Sequence, residues 1–402
     1  MDFADETIAC SDGPLSRSGR PMHRLLLLLV AVCGLPSAAG ALEHVVLKRD
    51  DREIEISGQL LVTAEDNGML ILAADGQLWS VPPEEVVKHT SDDERMQPLS
   101  PQQLGELLLK ELPPRFEIHA TQHYVICHNT SRVYAQWCGA LFERLYKAFT
   151  NFWARKGFDL HEPEFPLAAL VFADRESYAQ FVDKELGGGA SSIVAFYSLQ
   201  TNRMSLHDLT GVEALRRNGD HRGSSAQINL MLARPEAEQM VATVIHEATH
   251  QIAFNCGFQA RYAAIPLWVS EGLAIYFETP DLASSKGWRT IGAVNQLRLA
   301  RFRDYLRRGR PANSLAALIA GDERLRSGPP SDRVDAYAEA WALNYFLFQK
   351  HSKQYVSYLK LLSKKQPLIQ DEPQERLQEF KQAFGDLDQL DAEFSKYMSK
   401  VR

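Results

Sequence analysis

The chain has 402 residues, 45% hydrophobic and 24% charged, with a formal net charge of −7. That length suits two or three globular domains, and the hydrophobic share is ordinary for a chain that buries a core. The mild acidity, with no Lys/Arg-rich stretch beyond Arg301 to Arg310, argues against a nucleic-acid surface, so no nucleic-acid partner is expected.

Residues 1–41 read as an export leader. Arg24 precedes the apolar run Leu25 to Leu35, and Ser37-Ala-Ala-Gly-Ala41 offers small residues for cleavage. The run is too short to cross a bilayer, so no integral span is expected once it is removed. Asp2, Asp5 and Glu6 are odd at the head of a signal, which makes Met22 the expected start. The mature protein would then be periplasmic or extracellular. It would keep Cys127, Cys138 and Cys256, either with one Cys127–Cys138 bridge or as three buried thiols.

Residues 42–90 carry a β pattern. Glu53-Ile-Glu-Ile56 alternates, and Asn67-Gly68 and Asp75-Gly76 mark hairpin turns between apolar runs. A small barrel or sheet is expected, serving packing or tethering more than ligand binding. Residues 91–114 read as a polar linker around a short helix, Pro101 to Glu111. Residues 115–290 form the expected core. A strand over Phe116 to Cys127 carries His119 and His123, taken as exposed strand histidines, and Asn129-Thr-Ser131 matches a glycosylation acceptor. A helix over Val133 to Lys156 follows, with Trp137, Leu141, Leu145 and Phe149 on one side. Then come a buried strand (Leu167 to Phe172), a helix (Arg175 to Leu186), and strands over Ala195 to Ser198 and Arg203 to Leu206. Gly187 to Ser192 is a loop without a phosphate-binding fingerprint. Thr210 to Gln227, with Asp220 and His221, is either a flap or a surface loop.

The chemistry gathers at His246-Glu247-Ala-Thr-His250, inside a helical run from Pro235 to Cys256 closed by Gly257. Four residues make just over one turn, so both imidazoles project from one side, about 6 Å apart along the axis. That suits two legs of a zinc tetrahedron. Glu247, one position round, can reach a water at the metal in place of the metal itself. Two ordinary histidines on a solvated face are the bland alternative. Against it, Val241, Ile245, Ala248 and Ile252 form an apolar stripe while the histidines lie opposite among Thr243, Ala253 and Phe254. A helix apolar on several sides is buried. For a third ligand, Glu271 is a lone acid in the apolar run Pro266 to Phe277, where a cation would explain its placement. Gly272 beside it permits close backbone approach. Cys256 is rejected as a ligand, because a continuing helix carries it away from the histidines.

The paired pieces His-Glu-Ala-Thr-His250 and Trp268-Val-Ser-Glu-Gly-Leu-Ala274 resemble the two signature helices of gluzincin-type zinc metallopeptidases. More narrowly, the chain is similar to a bacterial family of exported proteins, read as peptidases, that carry a domain of unknown function. The likeness is strongest from His246 to Glu278 and looser from about Pro113 to Leu347. It implies a two-lobed zincin-like α+β fold, bound Zn²⁺ and a peptide or protein substrate. In zincins an edge strand above the metal pairs with extended substrate, and Arg203 to Leu206 is the candidate by position. Such enzymes also place a Tyr or His oxyanion donor after the glutamate helix. Tyr337, in Tyr-Ala-Glu-Ala-Trp341, is either that donor or core packing, while Trp341 and Tyr345 are taken as core. Some gluzincins carry an Asp four residues after the glutamate ligand, where this chain has Ile275. Glu278, two turns beyond Glu271, either supports the site or ends the helix.

Residues 291–402 read as a helical C-terminal lobe. Arg301 to Arg310 is taken as a solvated face, and Tyr355 to Lys364 and Glu375 to Met398 as amphipathic helices. The functional expectation is an exported zinc metallopeptidase with His246, His250 and Glu271 as ligands and Glu247 as general base. The alternative from another class is a non-catalytic, zinc-bearing envelope binding protein on a peptidase scaffold. If the leader is misread, an intracellular zinc protein remains. Oligomeric state is not legible.

Overall fold

In the computed structural model, residues 41–49, 51–186, 193–212, 215, 223–279 and 291–402 are described. The leader, the glycine loop at 187–192 and the Asp220–His221 pair lie outside them. Alternating side chains build the first unit: β1 (Leu42–Arg49), β2 (Arg52–Thr63), β3 (Met69–Ala73), β4 (Leu78–Val81) and β5 (Val86–Asp92). They pair antiparallel in the order β4-β3-β2-β1-β5. One face buries Val45, Leu47, Ile56, Ile71 and Val81. Helix α1 (Pro101–Glu111) falls in the segment read as a linker. A Ser100–Gln103 capping box starts it, and Leu104 and Leu108 bury its inner face.

The second sheet runs β6-β7-β8-β10-β9, built from β6 (Glu117–Ala120), β7 (Tyr124–His128), β8 (Leu167–Phe172), β9 (Ala195–Tyr197) and β10 (Arg203–His207). The three inner strands, β7, β8 and β10, are parallel and buried throughout, as apolar strands covered on both faces must be. Tyr124, Ile126, Leu167, Ala169 and Val171 face α2 (Arg132–Arg155) and α5 (Glu238–Asn255). Val125, Cys127, Ala168, Leu170 and Phe172 face α1 and α3 (Arg175–Leu186). The period of two in the sequence thus separates two helical layers. Helix α4 (Ser225–Leu232) packs on α2 ahead of α5.

The C-terminal half is helical: α6 (Leu267–Phe277), α7 (Gln296–Arg307), α8 (Ser314–Ala320), α9 (Glu323–Arg326), α10 (Pro330–Lys350), α11 (Ser352–Leu362), α12 (Pro373–Phe384) and α13 (Leu387–Met398). The fold class is therefore α+β with an N-terminal β region. No helix of the described residues is long and apolar enough to cross a membrane.

The first unit docks on the second. Phe165 packs with Leu70, Leu72 and Leu78, and the Leu78 N–H donates to the Gln200 carbonyl at 2.8 Å. Asp75 lies 3.5 Å from Arg203. A Cβ on Gly76, at φ +83°, would meet Asn202 Nδ2 at 3.1 Å. The β3–β4 turn thus rests on the turn joining β9 to β10.

Four expectations need correction. The strand over Phe116 to Cys127 is two strands, because Thr121 closes a turn by accepting the Tyr124 N–H on its hydroxyl. His123 lies in that turn with its ring 11% exposed, 2.7 Å from Glu143 and 3.0 Å from Glu162, so it is not an exposed strand histidine. The arginine run is a stitch and not merely a solvated face. Arg301 and Arg308 pair with Asp335, and Arg310 is buried between Glu339 and Asp391. Glu375 to Met398 is broken at Gly385, whose φ of +87° ends α12. Of the two alternatives for the cysteines, the structure has three buried free thiols, Cys127, Cys138 and Cys256.

Candidate metal centre

Helix α5 enters from a 3-10 turn at Pro235–Ala237 and stops where Gly257 adopts φ +79°. Every residue from Val241 to Ala253 is buried, so its histidines face protein and not water. Their rings stand 4.7 Å apart, with the two Nε2 atoms at 3.0 Å. Helix α6 crosses beneath and is equally buried. Gly272 lets this helix close against α10, since a Cβ there would lie 2.6 Å from the Ala340 carbonyl oxygen. It delivers Glu271, with Oε2 at 3.1 Å from His246 Nε2 and Oε1 at 3.5 Å from His250 Nε2.

His246, His250 and Glu271 therefore form a group that could hold a metal ion, their ligand atoms all within 4.8 Å of one another. The residues fit such a group on two grounds. Donors about 2.05 Å from a tetrahedral zinc would stand about 3.3 Å apart, close to the 3.0, 3.1 and 3.5 Å found here. Glu271 Oε1 is also buried without a hydrogen-bond partner, an arrangement that costs free energy unless something positive meets it.

Around this group the helices supply supports. His246 Nδ1 lies 2.7 Å from Glu278 Oε1, and Asn295 Nδ2 lies 3.5 Å from the other carboxylate oxygen. His250 Nδ1 faces Ser270 Oγ at 3.3 Å, which in turn donates to Gln259 Oε1. Glu247 points beside the ligand group. Its Oε2 accepts the backbone N–H of Tyr197 at 2.9 Å, while its Oε1 is buried and unpartnered.

Burial and charge set the protonation states. Burial works against a charged His246, but Glu271 and Glu278 outweigh it and lift the imidazole to about 10. The same histidines hold Glu271 well below the usual carboxylate range despite its burial. Burial, with the charges of Glu271 and Glu278, pushes Glu247 up to about 8, and burial lowers His250. Cys256, pushed up to about 12 by burial at the C-terminal end of α5, stands outside the ligand group.

The structure brings His246, Glu247, His250 and Glu271 together. Tyr337 is half-buried on α10, with the Arg298 guanidinium 5.8 Å from its ring centroid. The expected edge strand is corrected. β10 lies inside the sheet between β8 and β9, and β9 is the edge. The chain turns back at Gln200 to Asn202, which leaves the earlier strand of the hairpin outermost. Sequence reasoning missed Tyr197, Ser270 and Gln259. A backbone N–H leaves no mark in the side-chain pattern, and only the spacing of Glu278 hinted at a support.

Residues 240–369 match a family described as "Protein of unknown function (DUF1570)". The match takes in α6 and α10, most of α5 including both histidines, and Tyr337. It covers less than half the chain. No curated protein matches.

Proposed function

We propose that the chain is an exported zinc metallopeptidase of the gluzincin type, on a zincin-like core, that hydrolyses peptide bonds in a peptide or protein substrate. The observation that carries this reading is the meeting of His246, His250 and Glu271 from two packed helices, with Glu247 alongside. Two imidazoles and one carboxylate suit zinc and leave one tetrahedral position open. When bound there, zinc would bring the pKa of water towards about 7 and polarise a carbonyl.

The chain's own groups divide the remaining work. The Tyr197 N–H fixes one oxygen of Glu247 and leaves Oε1 free. That atom takes the proton of the attacking water and passes it to the leaving amine. β9, the edge strand of its sheet, is the candidate to pair with an extended substrate. Tyr337 is the candidate donor to the oxyanion, and a Tyr337→Phe variant with undiminished kcat would remove it from that role.

The test begins with metal content by mass spectrometry. One zinc per chain is expected in the wild type and little or none in Glu271→Ala. Glu247→Gln should keep its zinc and lose turnover on a peptide library. A wild-type protein that takes up no zinc after reconstitution overturns the reading.

A further inference from the structure

Helix α6 does more than deliver Glu271. Ser270, one residue before that ligand, stands behind His250, and Glu278, two turns after it, stands behind His246. The two supports are chemically unlike, a neutral hydroxyl behind one ring and a carboxylate behind the other. We propose that Glu278 is the positioning residue of the metal centre. It fixes His246 in the tautomer with Nδ1–H towards the carboxylate and the Nε2 lone pair towards the ion, and it strengthens that ring as a donor. This rests on the metal reading above.

The alternative is that Glu278 merely ends its helix, and its position argues against that. It is the C-terminal cap residue of α6, where the negative end of the helix dipole disfavours an acid. It is also only 5% exposed, so water does little to relieve that charge. Glu271, fully buried, adds a like charge on the other side of the His246 ring. Among the described residues, no Lys or Arg lies within ion-pair distance of Glu271 or Glu278; their ion-pair partners are His246 and His250. An acid placed this badly for its helix is explained by what lies beyond His246: a divalent cation offsets the two carboxylates that flank that ring. A carboxylate behind a metal-bound imidazole orients the ring and raises its basicity.

The experiment compares wild type, Glu278→Gln and Glu278→Ala in three measurements. These are zinc affinity by competition with a chromophoric chelator, the visible spectrum of the cobalt(II)-substituted protein, and thermal unfolding of the metal-free protein. Affinity is expected to fall about 100-fold in Glu278→Ala and about tenfold in Glu278→Gln, whose amide oxygen still accepts the Nδ1–H but carries no charge. The cobalt bands should shift in both. A purely structural Glu278 would move only the unfolding temperature. Wild-type affinity and spectrum in Glu278→Gln, with one zinc bound by the wild type, overturn this inference and leave the metal reading intact. A wild type that binds no zinc overturns both. Should Glu278→Ala not fold, Glu278→Gln decides alone.

Discussion

A methyl group at position 272 would have nowhere to go. It would press on the Ala340 carbonyl oxygen and still more closely on Asn344 Nδ2, whose amide bridges α10 to the Trp268 carbonyl of α6. Gly272→Ala should therefore cost about 1–3 kcal/mol through overpacking, measured by urea unfolding. A cost within error of zero would mean that α6 and α10 have room to separate. This glycine, the two histidines, Glu247 and Glu271 were legible because their residue types carry the signal at fixed spacing. Glu278 was ambiguous, since helical phase places a residue on a face but does not say which ring nitrogen it meets. The Tyr197 N–H was invisible for a simpler reason: every residue but proline has one.

At the scale of elements, two of the three inner strands end in histidines. His128 closes β7 and His207 closes β10, both 2% exposed. Burial holds each imidazole below its ordinary value, against the Thr130 carbonyl for His128 and the charges of Asp208 and Asp174 for His207. The sign follows from which state takes up protons first. As pH falls through about 6.5 the unfolded chain protonates these rings while the folded chain does not. Their contribution is complete above that point and is lost as pH drops towards the folded values. The urea midpoint should decline between about pH 7 and about pH 5, and less steeply in His207→Gln. Parallel declines would show that His207 is not the group responsible. Strand existence was plain from the apolar runs, yet strand order was not. Periodicity fixes which way side chains point and says nothing of which neighbour a strand finds, so β10 was taken for the edge that β9 forms.

At the scale of the whole molecule, the charges of the C-terminal half show why the linear reading stopped where it did. Arg310 pairs with Glu339 and Asp391, residues far from it in sequence, and in isolation such an arginine reads as solvated. The N-terminal unit raised the same difficulty. Its turns were legible from Asn67-Gly68 and Asp75-Gly76, but nothing in either dipeptide says that one is free and the other is docked. The β2–β3 tip is open, with Glu65, Asp66 and Asn67 exposed. The β3–β4 tip rests on Gln200 to Asn202, and from there Asn202 exchanges amide hydrogen bonds with Asn255 on the helix of the two histidines. Hairpin tips are ordinarily where a chain accepts inserted sequence. Here two tips of one small sheet should answer oppositely. A short epitope tag between Asp66 and Asn67 should leave the unfolding midpoint of the full chain unchanged. The same tag between Asp75 and Gly76 should lower it, and equal tolerance at the two sites would show that the docked turn is not holding the hairpin.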